Sequence, residues 1–473
     1  QVLEGEDLSL SLIYQDTTVF NDIDEFIILD ENISSSDDFT PFDVDIPAQP
    51  TENRFTAPTE IFDFEFNSQD GEKIDSTFFK GGSLSYTLTS DFDLEVDYIL
   101  TLIDIRDLSN NPVIFENTLN EGEGSKSESI PLNGLKNVAE RIGSSNIFNA
   151  SLDLTFTIPA GTPINSSQEV RVDLIFEDTE FSAIFGDFES DSVEVQNDTI
   201  EFASLDELNE GGLFLKNPSV TLDFENFFGV ELGISLDEVK SLNNGNTETM
   251  LMGEVVDELQ FVDAPNELRL GEKVNSSFTI DITNSNIDEL LNGTPDNILF
   301  SVSAIPNPPG ADNIVNYMFD SSYLEIRTTM EIPLDFRMDG FSKDFDLEVS
   351  GNDLIGADSI VINAQILNDL PLDGSLDLSF RNESGTEIYS IPSISLIESP
   401  QIGSDGRTLS SAESRAIVRL DDAGIEAFLN TEEIIATVNV FTFDNESGTF
   451  VKIFSDYNLE IFLTASGTVE VEL

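Results

Sequence analysis

The residues best suited to chemistry in this sequence are carboxylates. Asp91, Asp93 and Asp97 stand at even spacing, so on an extended chain their side chains share one face. Asp91-Phe92-Asp93 also falls where a turn is expected, and turn carbonyls beside carboxylates offer oxygen ligands to a hard cation. The chemistry implied is calcium binding, and no other cofactor is indicated. Asp43 and Asp45 repeat the spacing in a stretch that reads as a solvated linker. The EF-hand loop pattern is matched nowhere.

Other reactive groups are missing by composition. The chain has no His, no Cys and no Trp. Ser-His-Asp triads, Cys nucleophiles, imidazole bases and Cys/His zinc centres are therefore excluded. Carboxylate-only mechanisms survive, chiefly the acid pairs of glycoside hydrolysis, but such pairs are defined by distance in space and not by spacing. A glycan hydrolase would also be expected to stack sugars on Trp. The expectation is a protein that is not an enzyme. The glycines of Lys80-Gly81-Gly82 precede strand-like sequence, so they are turn residues and do not cradle phosphate.

Charge narrows the partners. Asp and Glu number 92 against 20 Lys and Arg, for a net charge of −72 over 473 residues. Such a surface repels nucleic-acid phosphates and anionic membranes. It suits salty or calcium-rich surroundings, where counterions screen self-repulsion. No apolar run reaches the eighteen residues of a membrane-spanning helix. The sequence begins at Gln1 and enters strand-like residues at once, as a processed N-terminus would. Asn-x-Ser/Thr sequons, as at Asn149 and Asn275, and Asp-Ser/Thr-apolar tripeptides, as at Asp191, Asp198 and Asp358, resemble acceptors for sugar on exported proteins. Together these features predict an extracellular, cell-surface or periplasmic protein open to glycan modification.

The elements that must carry these residues repeat. SLSYTLTSDFDLEVDYILTL, SVTLDFENFFGVELGISL and SIVINAQILNDLPLDGSLDL each read as strand, polar residue, turn, strand. Their turns begin at Ser90, Asn226 and Asn368, 136 and 142 residues apart, with Phe92, Phe228 and Leu370 in matching places. A second half repeats at an offset of 138, where Ile287 falls on Ile425 and Leu290 on Phe428. In the last copy Asp421 or Asp422 can cap a helix whose apolar stripe is Ile425, Phe428 and Leu429, ended by Asn430. Each unit is expected to be a hairpin, a short helix and closing strands. The fold class is mainly β: three tandem β-sandwich-like domains, each with one short helix, in an elongated arrangement. Boundaries fall at a strand-containing lead segment and linker over 1–55, then sandwiches over 56–200, 201–335 and 336–473. The lead segment holds LSLSLIY and an apolar patch at 26–29, and is expected to add a strand to the first domain or to dock a partner.

The turn Asn368-Asp369-Leu370-Pro371-Leu372, followed by a strand and an Asn-Glu-Ser-Gly turn, resembles multi-domain β proteins of the Bacteroidota cell surface and periplasm. Its Asn-x-apolar-Pro/Gly-apolar pattern also resembles the β-sandwich of late-embryogenesis-abundant-like domains. That resemblance implies a surface role without catalytic residues. The function expected is a structural or adhesive spacer, with other surface proteins or copies of itself as partners. A carrier of lipid or another apolar ligand, and a carboxylate-based glycan hydrolase, are the alternatives.

Overall fold

Period-two alternation of apolar and polar residues governs the structure. In Ser219–Asn226, Leu222, Phe224 and Asn226 point inward while the residues between them stay at the surface. A computed structural model describes residues 1–21, 32–66, 73–138, 140–142, 145–188, 192–201, 212–243, 246–265, 269–292, 295–309, 316–347 and 359–468. The apolar patch at 26–29 lies outside these residues. The chain is mainly β, built of antiparallel sheets with only short helices among the described residues.

Each repeated motif supplies an opening strand and a return strand. The opening strands are Lys73–Ser90, Ser219–Asn226 and Ser359–Asn368, and the return strands Glu95–Asp107, Leu232–Asn243 and Leu372–Arg381. The two strands of each motif do not pair as the hairpin expected from sequence. In the second and third units the two strands lie in different sheets, and in the first they are separated by Leu135–Val138. The turn is thus an arch from one layer to the next. Opening strands pair instead with closing strands, Val170–Asp187, Leu324–Pro333 and Leu459–Thr468. Return strands pair with Ser145–Ile158, Asn297–Pro306 and Glu433–Thr442.

Among the described residues the helix is not shared by all three units. It is present as Ile287–Leu291 and as Asp422–Leu429, where Asp421 caps the end by accepting from the Gly424 N–H at 2.8 Å. In the first unit the matching stretch is Leu135–Val138, an extended segment bonded to both arch strands. Gly134, in the left-handed region at φ 82°, turns the chain into that strand.

The lead segment is not a linker. Ile33–Phe39 pairs with Val170–Asp187 and Asn53–Thr56 with Ser145–Ile158, both in the first unit. Phe42 is buried between them against Phe55, Phe92 and Phe156. The earlier strand Leu10–Phe20 goes elsewhere, pairing with Leu324–Pro333 of the second unit. Its start reaches the third, where Ser9 bridges Phe454 and Arg407 donates to the Asp7 carbonyl at 2.8 Å. A small sheet of Leu213–Leu215, Asp335–Met338 and Val451–Lys452 also joins the second and third units. Buried apolar residues form one contiguous core from Phe42 to Ile332 and a separate one from Ile360 to Phe428 and Ala436.

Candidate functional site

The three arches share a bond set that periodicity alone could not supply. Asn226 is fully buried. Its side-chain amide donates to the carbonyls of Val230 at 3.0 Å and Asp263 at 3.1 Å, and its oxygen accepts from the Phe228 N–H at 2.9 Å. Asn368 does the same with Leu372 at 2.9 Å, Glu398 at 3.0 Å and Leu370 at 2.9 Å. Ser90 keeps one bond of the three, accepting from the Phe92 N–H at 3.2 Å. The next residue always donates to the carbonyl just before the closing strand: Asp91 to Glu169, Phe227 to Tyr323, Asp369 to Asn458. These are structural clamps. An Asn recurring at one place in two repeats, two residues before an apolar one, is the signal that could have marked them.

The carboxylates singled out from sequence lie near the first arch, where Asp91 and Asp97 are engaged by the protein. Asp91 accepts from the Glu169 N–H at 3.3 Å. Asp97 sits on the return strand, paired with Arg54 and accepting from the Thr118 hydroxyl at 2.7 Å. Asp93 lies toward Gly122 in the neighbouring turn. Among the described residues no group of three or more acidic side chains is gathered as a metal site. Asp45 accepts from the N–H and hydroxyl of Ser166 at 2.8 and 2.9 Å, which hold its carboxyl below the usual carboxylate range.

The open face of the first unit carries a shallow groove of about 610 Å³ lined by Asp97, Ile99, Glu116, Thr118, Asp153 and Thr155. Ile99 is flanked by Asp153 on one neighbouring strand and Glu116 on the other. Asp153 is already bonded by the Thr59 hydroxyl at 2.5 Å, and Asp97 by Arg54 and Thr118. Two of the three carboxylates therefore spend acceptor capacity on structure. The second unit holds an apolar cavity of about 60 Å³ among Leu222, Leu236, Leu290, Ile298 and Met330. Ligand pockets run to roughly 300–1,000 Å³, so this is a packing void and too small for a lipid chain.

Beneath the groove two tyrosines face each other. Tyr86 and Tyr98 are buried with hydroxyls 2.8 Å apart, and Glu128 lies 3.5 Å from Tyr86. Burial raises both hydroxyls above the ordinary phenol range, and it also leads the upward shifts of Tyr317 and Tyr389. An acid whose folded pKa is raised stabilises the fold fully below its unfolded pKa of about 10, and that contribution is lost as pH climbs above it. Tyrosinate absorbance, read without Trp interference, should show these four of the seven tyrosines ionising late. Unfolding should set in as pH rises past about 10.

No protein-family model and no curated protein matches the chain. Among solved structures it is similar to a Parabacteroides distasonis protein described as secreted, at 15% identity over 61% of this chain and 90% of that one, TM-score 0.38. It is also similar to black queen cell virus, at 11% identity over 34% of this chain and 74% of that one, TM-score 0.17. A carbohydrate-binding module of the β-sandwich superfamily gives 6% identity over 38% and 60%, TM-score 0.12. Likenesses this low carry no argument about function. No helix among the described residues is long and apolar enough to cross a membrane.

Proposed function

We propose that this protein is a non-enzymatic extracytoplasmic scaffold, a stiff spacer of three clamped sandwiches that presents surfaces to other proteins. The observation that carries the reading is the lead segment, whose successive parts pair with the first unit, pair with the second and bridge to the third. A flexible string of beads has no use for such a stitch. The excess of acids and the sugar acceptors support a place outside the cytoplasm. The lipid-carrier reading is less favoured because the apolar cavity is too small, and the hydrolase reading because two of the three groove acids are already engaged.

Small-angle scattering from the monomer tests this. A compact chain of this length has a radius of gyration of about 23 Å, and a rod of three sandwiches should lie well above it. A value at the compact figure, or native mass with an extractable lipid, would sink the spacer.

A further inference from the structure

The three closing strands start in equivalent register. Val170 pairs with Ser90, Leu324 with Asn226 and Leu459 with Asn368. Two residues on, along the same inward face, stand Val172, Ile326 and Ile461. Val172 and Ile326 are 0% and 1% exposed, whereas Ile461 is 51% exposed. The sheets differ at their outer edge. Ile33–Phe39 lies antiparallel against the first closing strand and Leu10–Phe20 against the second, each ending in a phenylalanine opposite the strand's first residue: Phe39 across from Val170, Phe20 across from Leu324. Among the described residues no strand covers the outer edge of Leu459–Thr468.

This edge lacks the usual protection. Natural edges are blunted by lysine, proline or bulges. Leu459–Thr468 has no Lys, Arg or Pro and a single acid, Glu460, in a chain where acids are abundant. It pairs with Ser359–Asn368 in unbroken register and leaves Phe462, like Ile461, more than half exposed.

We infer that Leu459–Thr468 is an acceptor edge for an extended strand of a separate polypeptide, laid antiparallel, with a phenylalanine opposite Leu459. The chain's own two donors define the partner's chemistry. Counting back from the phenylalanine, alternate positions are Thr18 and Asp16 in one and Asp37 and Ser35 in the other, so the donor is rich in Ser, Thr and Asp and closed by Phe. Phe20 reaches Phe228 of the second arch, with ring centroids 6.5 Å apart. In the third unit the corresponding arch residue is Leu370, which would take the partner's ring together with Leu459. Backbone pairing supplies affinity and the ring supplies register. The inference deepens the scaffold reading, resting on it only for the donor being a separate chain.

The test uses the full chain and a labelled synthetic peptide of residues 10–20, LSLIYQDTTVF. Binding should saturate and slow amide exchange within 459–468. Replacing the peptide's terminal Phe by Ser should weaken it about tenfold or more, as loss of a buried ring predicts. Ile461→Lys in the chain should weaken it similarly without unfolding, because that side chain is half exposed. Absence of saturation at millimolar peptide overturns the proposal. So does protection on 324–333, which would mean displacement of the chain's own strand, or concentration-dependent protection of 459–468 without peptide, which would make a second copy the occupant. None of these outcomes alters the scattering result, so the spacer reading stands or falls separately.

Discussion

Asn226→Ala should destabilise its core by about 2–4 kcal/mol, because three backbone groups lose their partner at once and two of them are buried. The Val230 carbonyl and the Phe228 N–H are buried and have no water to turn to, whereas the Asp263 carbonyl belongs to an exposed residue and can be hydrated. Asn368→Ala should act with similar size on the third unit alone, since the two buried cores are separate. Ser90→Ala removes one bond and should cost only about 1 kcal/mol. Asn226→Asp should be no milder than the alanine change, because it loses both donated bonds and buries a charge. Denaturant unfolding followed by circular dichroism checks the order. Equal effects at Ser90 and Asn226 would mean that the arches are held by their flanking strands and not by the side-chain clamp.

Phe156→Ala should cost about 4 kcal/mol, at the upper end of what a core ring is worth. Phe156 is fully buried, with ring centroids 5.1 Å from Phe42 and 5.0 Å from Phe92. The three rings join the end of the lead segment, the first arch and the strand Ser145–Ile158. A void there should loosen the segment as well as lower the midpoint, so limited proteolysis should open new cleavage between Asp43 and Thr51. Phe156→Leu should cost about 1.5 kcal/mol or less and leave the cleavage pattern unchanged. If the alanine variant unfolds earlier but cuts at the same sites, Phe42 is held by Phe55 alone.

The arches were legible in the sequence because each is local. A strand, an Asn or Ser, an apolar residue two places on and a second strand fit within twenty residues, and apolar alternation marks the flanks. What that pattern leaves open is whether the two strands pair with each other or cross between layers, since both bury the same residues. The lead strand was harder. LSLIYQDTTVF announces a strand, but its partner is chosen by the distant edge at Leu324–Pro333, which no local pattern names. Ser34, Ser35, Ser36, Asp37 and Asp38 read as solvated linker because these five of the seven residues of Ile33–Phe39 gain little from burial. Ile33 and Phe39, packed on the core, and backbone pairing with Val170–Asp187 hold that strand in place. The even spacing of Asp91, Asp93 and Asp97 sets their shared face, but not that Arg54, from another strand, takes one of them.

The lead segment also sets an order of events. Residues 9–39 are made before their partners: Phe39 waits for Val170, Phe20 for Leu324 and Ser9 for Phe454. Contacts so distant along the chain form slowly, and strands left waiting with open edges invite association between unfinished molecules. A charge of −72 spread along the whole sequence keeps those molecules apart by mutual repulsion while they wait. The acidity that suits the finished surface thus also serves the chain during the interval when the lead segment has nothing yet to pair with.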